Sequence, residues 1–174
     1  QTLAMLHPRA IEALAPLLSQ IQTKALQQAI LGAIGYLAKM DFSSLEKAIT
    51  SSDADIVRQL ILILGHMQGA KPLGILRRLT RHPSDGVRID ALKMILKGDT
   101  GGHSGLFNLI EDANPEVRKL FIRHIGGQRD VKYEQRIMDY LGNREYALKD
   151  NEHLLACYQV LGRCGSASCL PFLR

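Results

Sequence analysis

Tryptophan is absent from this 174-residue chain, and aromatic residues make up only 5% of it. With hydrophobic residues at 46%, the core must come mainly from Leu, Ile and Ala. That composition suits tightly packed helices and argues against a β-rich domain, where Val, Thr and aromatics are enriched. Long apolar runs are missing too. The longest, Leu60 to Leu64, is far short of the ~20 residues a membrane-spanning helix needs. No secretory leader opens the chain. Cysteine is scarce: Cys157, Cys164 and Cys169 are odd in number and form no Cys-x-x-Cys, so they cannot all pair internally. These features lead us to expect a soluble protein of a reducing compartment, the cytoplasm.

Motifs of catalysis and ligation are equally sparse. Six histidines, His7, His66, His82, His103, His124 and His153, are scattered with no His-x-x-x-His and no His-Glu pair, whereas a metal site needs clustered ligands at one-turn spacing. Gly98–Gly105 is glycine-rich, but it lacks the lysine and the preceding strand of a phosphate loop. Cys157 and Cys164 fall at small apolar positions and read as buried hydrophobes rather than nucleophiles. The expectation is a chain with no catalytic residues, no metal and no cofactor.

What the sequence does contain is periodicity, and this sets the fold. Asp55-Ile-Val-Arg58 recurs as Asp85-Gly-Val-Arg88 and as Pro115-Glu-Val-Arg118, placing Val57, Val87 and Val117 each 30 residues apart. A second series, Leu14, Leu45, Ile75, Leu106 and Ile137, advances by 30 or 31 residues. Two registers sharing one period mean two helices per repeat. First helices are expected near 8–19, 43–50, 72–81, 104–111 and 133–141, and second helices near 24–38, 54–67, 86–97, 115–126 and 151–163. Asp53, Ser84 and Asn114 stand where they would cap second helices, with Pro115 in a first helical position. Pro8 and Pro72 mark the starts of first helices. Gly35, Gly65, Gly126 and Gly162 close the apolar stretches of the second helices, with Leu96 in the equivalent place in the third; Gly98, Gly101 and Gly102 break the chain after the third pair and Gly126-Gly127 after the fourth. Each pair is too small to bury its own apolar faces, so successive pairs must stack.

The pattern resembles the HEAT family, in the short HEAT-like form also found in phycobilisome lyases. The clearest match is Asn114-Pro-Glu-Val-Arg-Lys-Leu-Phe-Ile-Arg-His-Ile-Gly126 with the preceding Leu109-Ile-Glu-Asp112, and His153 to Gly165 fits the second-helix pattern. The resemblance implies an all-α, right-handed solenoid of about five antiparallel helix pairs over residues 1–174. The first and fifth pairs lack Val-Arg, and the fifth carries extra residues around Gly142–Asn151. Gly165–Arg174 reads as the opening of a sixth pair, so the chain is expected to be a piece of a longer array. Leu161, Leu170 and Phe172 would then border an apolar surface through which copies could self-associate.

Charge directs the functional reading. The formal net charge is +5, and all of it lies between Lys71 and Arg136, which hold 13 Lys and Arg against 8 Asp and Glu. Arg58, Arg88 and Arg118 are placed for inter-repeat ion pairs with Asp53, Asp85 and Asp112, because the planar guanidinium fork matches a carboxylate. The remaining basic set includes Arg77, Arg78, Arg81, Arg129, Lys132 and Arg136, together with Lys93, Lys97, Lys119 and Arg123. The last four lie on second helices, which the resemblance places on the concave face. They form a candidate site for an acidic protein segment. The sequence therefore points to a protein-interaction scaffold. A nucleic-acid-binding array using the basic middle is kept as an alternative, although few aromatics are available for base stacking. A non-catalytic regulatory or lyase-like module of a larger enzyme is kept as another. No lyase motif matches. Deoxyhypusine hydroxylase, a HEAT-type metalloenzyme, depends on His-Glu motifs that are absent.

Overall fold

The computed structural model describes residues 7, 9–98, 103–128, 131–142 and 150–170. Pro8, Gly101, Gly102, Arg129, Phe172, the Cys164 side chain and most of the Gly142–Asn151 segment, all given roles above, lie outside this description. Every regular element among the described residues is helical. The helices are α1 (Ala10–Leu14), α2 (Leu17–Gln20), α3 (Lys24–Met40), α4 (Phe42–Ser51), α5 (Ala54–His66), α6 (Ala70–Leu79) and α7 (Asp85–Lys97). After a 3-10 segment (His103–Glu111) come α8 (Pro115–Gly127), α9 (Val131–Gly142), α10 (Asn151–Cys164) and a 3-10 turn (Ala167–Cys169). None of the described helices is long and apolar enough to cross a membrane.

Three local departures from the sequence reading have physical causes. The expected helix over 8–19 is split into α1 and α2 around Pro16, whose missing N–H breaks the hydrogen-bond ladder. The expected helix over 104–111 is a 3-10 segment, in a stretch carrying the weak helix formers Ser104, Gly105 and Asn108. Ser84 makes no side-chain cap for α7. The other two caps form. Asp53 accepts from the N–H groups of Asp55 and Ile56 at 3.1 and 3.0 Å, and Asn114 accepts from that of Glu116 at 2.8 Å. Asp41 supplies a further cap to α4. Its carboxylate takes bonds from the Ser43 and Ser44 hydroxyls and the Ser43 N–H, which hold its pKa below the ordinary value.

Both periodic series are core. Val57, Val87 and Val117 are at most 1% exposed, and Leu45, Ile75, Leu106 and Ile137 at most 4%. Leu14 is only half-buried, its place in the core taken by Ile11 and Leu18. The chain divides into two compact units, Gln1–Gly101 and Gly102–Arg174. Within the first, α5 packs on α3 and α7, and α6 on α5 and α7. Within the second, α8 packs on α10 and on the 3-10 segment, and α10 on α9. The second helices run parallel inside each unit. Arg58 and then Gly65 of α5 meet Asp90 and then Met94 of α7. Arg118 and then Gly126 of α8 meet Asp150, at the head of α10, and then Val160.

Gly35, Gly65, Gly126 and Gly162, which close the apolar stretches, all lie within helices, as the expected bounds have them. Two of them, Gly65 and Gly126, are points of close approach. A methyl group on Gly35 would touch Ile63, one on Gly65 would collide with Met94, and one on Gly126 would stand 2.9 Å from Val160 Cγ2. The missing side chain lets the neighbouring helix in. At the chain's end, Leu161 is 1% exposed rather than bordering an open surface. The turn after α10 folds back over it, and the Cys169 thiol faces the Leu161 carbonyl at 3.8 Å. Buried Glu134 of α9 anchors this turn, accepting from the Ser166 N–H and from the Ser166 and Ser168 hydroxyls. Leu170 is half exposed.

The glycine assignment separates two substitutions. In Gly126→Ala, crowding against Val160 costs about 1–3 kcal/mol, more than the ~1 kcal/mol gained in helix propensity. The space around Gly162 is open, so Gly162→Ala keeps the gain. Thermal unfolding followed by circular dichroism should show a lower melting temperature for the first variant and a higher one for the second. A rise in both would refute the close-approach role.

Candidate functional site

The second unit holds the most developed polar cluster, and it begins with Arg118. One arm of its guanidinium donates to the carbonyl oxygens of Asp112 and Ala113, at 2.6 and 3.2 Å. Arg88 makes the same clamp on His82 and Pro83, at 2.9 and 3.1 Å. The two arginines therefore tie each inter-helix turn to the helix that follows. Their other arms differ for a reason visible in the sequence. Three residues before Arg88 stands Asp85, and Nη2 donates to it at 2.7 Å. Three residues before Arg118 stands Pro115, which offers no acceptor side chain, and here Nη2 reaches to Asp150 at the head of α10.

Asp150 has two tasks. Oδ2 receives Arg118, while Oδ1 accepts from the His153 N–H at 3.2 Å and caps α10. Behind this pair, His153 is 9% exposed and Cys157 fully buried. The His153 Nε2 and Cys157 Sγ are 3.9 Å apart, and the Tyr140 ring meets the imidazole edge-on, its centroid 5.8 Å away. Burial, and then the nearby Arg118 charge, push the His153 pKa down, with Asp150 and a bond to the Ile110 backbone opposing in part. Burial pushes the Cys157 thiol up to about 12. Cysteine, histidine and aspartate thus meet without forming an activated nucleophile. The thiol stays protonated at neutral pH, and Asp150 bonds the histidine backbone rather than its ring.

In front of the pair, α8 and α10 border an open groove of about 490 Å³. Ile122 and Val160, both nearly buried, lie in its floor, and Leu155, 58% exposed, stands in its wall. Glu116 and Glu152 line it in the first turns of the two helices. Lys119, Arg123 and Arg163 line it further along. All three cations are exposed, and none has an ion-pair partner among the described residues.

The residues singled out in the sequence are distributed as follows. Lys119 and Arg123 line this groove. Lys93 and Lys97 are exposed on α7 in the first unit. Arg58 pairs with Asp90, at 2.7 Å, rather than with Asp53. Asp53 is taken up as a cap. Asp112 accepts from the Asn114 N–H at 2.8 Å, and its carbonyl rather than its carboxylate meets Arg118. Arg78 pairs with Glu46 at 2.8 Å, and Arg136 lies over the Phe107 ring, 5.3 Å from its centroid. Asp150, Leu155 and Arg163 were not singled out, and Asp90 only as an acid interleaved with the basic set. A signal for the two pairings existed: Asp90 and Asp150 each lie 32 residues after their arginine, and Ser166 lies 32 after Glu134. The chain matches no protein-family model and no curated protein.

The setting of His153 predicts a pH dependence. Its folded-state pKa lies below the ordinary 6.5, so on acidification the unfolded chain takes the proton first. Its contribution to stability is then complete above about pH 6.5 and declines as pH falls below it. Denaturant unfolding between pH 7 and pH 5 should show this loss, with a flatter dependence in His153→Gln. Equal slopes for the two proteins would contradict it.

Proposed function

We propose that this chain is a protein-interaction module, a right-handed HEAT-like solenoid of stacked helix pairs, that receives a partner polypeptide in the α8/α10 groove. The shared 30-residue register and the parallel second helices inside each unit support the repeat reading. One observation carries the functional reading. Lys119 and Arg123 stand four residues apart on one helix, exposed and without a described carboxylate partner, beside the exposed Leu155. Like charges at this spacing cost a helix about 0.2–0.5 kcal/mol. Both sit in helix turns where the macrodipole does not call for a cation. A ligand carboxylate would relieve that repulsion, and an apolar ligand side chain would cover Leu155.

The groove favours a polypeptide over a nucleic acid. Glu116 and Glu152 line the same depression and would repel a phosphate backbone. The protonated state of Cys157 supports a binding role over nucleophilic chemistry.

Fluorescence anisotropy with short labelled peptides tests the proposal. An acidic peptide with a central leucine should bind, and weaken as salt rises. Changing Lys119 and Arg123 to Gln should reduce its affinity about tenfold, the equivalent of about 1.4 kcal/mol, with an unchanged circular dichroism spectrum. Equal affinity in the double variant, or stronger binding of a DNA duplex through these residues, would overturn it.

A further inference from the structure

The groove is electrically polarised along its length, and we infer from this that its occupant is a bipolar segment: basic at one end and acidic at the other, with an apolar side chain seated among its acidic residues. The inference rests on the groove reading above and specifies the partner's chemistry. Because α8 and α10 run parallel, their first turns lie at the same end of the groove. Glu116 and Glu152 are in those first turns, both exposed and without an ion-pair partner among the described residues. Lys119 follows in the second turn of α8, Arg123 in the third, and Arg163 in the last turn of α10. Arg118 and Asp150, also at the acidic end, neutralise each other and leave the order unchanged. Leu155, in the second turn of α10, and Ile122 line the groove within its cationic stretch, between the levels of Lys119 and Arg123.

Helix macrodipoles favour acids in first turns, but they do not choose the side of the helix. Here both acids line one groove, opposite in sense to the cations further along it. A uniformly acidic ligand would bring carboxylates onto Glu116 and Glu152, and a uniformly basic one would meet Lys119 and Arg123. A segment with segregated charges satisfies both zones at once. Along the helix axis, Glu116 and Arg123 are about 10 Å apart, and Glu152 and Arg163 about 16 Å. An extended ligand covers that span in roughly 3–5 residues.

The test uses three labelled peptides of equal length with one leucine at the same position, in buffer near physiological ionic strength. The first has two lysines at one end and, at the other, two glutamates flanking the leucine. The second has the same composition with the charges alternating. The third is acidic at both ends. The bipolar peptide should bind at least fivefold tighter than either of the others. In Glu116→Gln/Glu152→Gln, its advantage over the acidic peptide should disappear, while dependence on Lys119 and Arg123 persists. If bipolar and acidic peptides bind the parent protein equally, and both need Lys119 and Arg123, the charge order is wrong and the groove reading survives. If no peptide depends on Lys119 and Arg123, the groove reading falls as well.

Discussion

Arg118 reaches Asp150 from a position where its side chain is only 15% exposed, and most of the second unit's architecture depends on that contact. The same guanidinium clamps the turn before α8, and the same carboxylate caps α10. One ion pair therefore fixes where two helices begin relative to each other. Once the heads are aligned, the bodies must pass closely, and Gly126 is where Val160 comes in. The spacing between the helices, and so the groove in front of them, follows from those two points. Arg58 and Asp90 make the equivalent link in the first unit, but Arg58 is 48% exposed. An ion pair that open to water is worth little, and there the buried apolar contacts of α5 and α7 carry the packing.

Burial governs the chemistry behind this pair. It lowers the His153 pKa, with the Arg118 charge adding to the shift, and it keeps the Cys157 thiol protonated. The polar cluster is thus structural on its inner side. On the outer side, Lys119, Arg123 and Arg163, like Glu116 and Glu152, have no ion-pair partner among the described residues. The contrast between the paired Arg118 and Asp150 and the groove charges that have no partner among the described residues is the physical basis for reading the face as a binding surface.

Much of the fold was legible in the sequence because burial follows period. Val57, Val87 and Val117 could be placed in the core from spacing alone, and Asp53 and Asn114 could be placed as caps from residue type. The pairing of charges was less legible. Asp53 and Asp112 are near their arginines in sequence, but backbone N–H groups claim their carboxylates first. The partners that do form for Arg58 and Arg118 lie 32 residues on, at a stagger set by how parallel helices pack rather than by local chemistry. The reason for two of the glycines was not legible either: Gly65 and Gly126 make room for a neighbouring helix that the sequence alone does not place. In the candidate site, Lys119 and Arg123 were visible as an i, i+4 pair. Leu155 and Arg163 were not, because the groove exists only once α10 is laid beside α8.

A double-mutant cycle on Arg118 and Asp150 tests the central claim most directly. Arg118→Met removes the charge and retains much of the stem, and Asp150→Asn removes the charge and retains a capping oxygen. The single and double variants, compared by denaturant unfolding, should give a coupling of about 1–3 kcal/mol. The same cycle on Arg58 and Asp90 should give less than about 1 kcal/mol. A coupling near zero for Arg118 and Asp150 would contradict the account, because the register of α8 and α10 would then be set by something other than this pair.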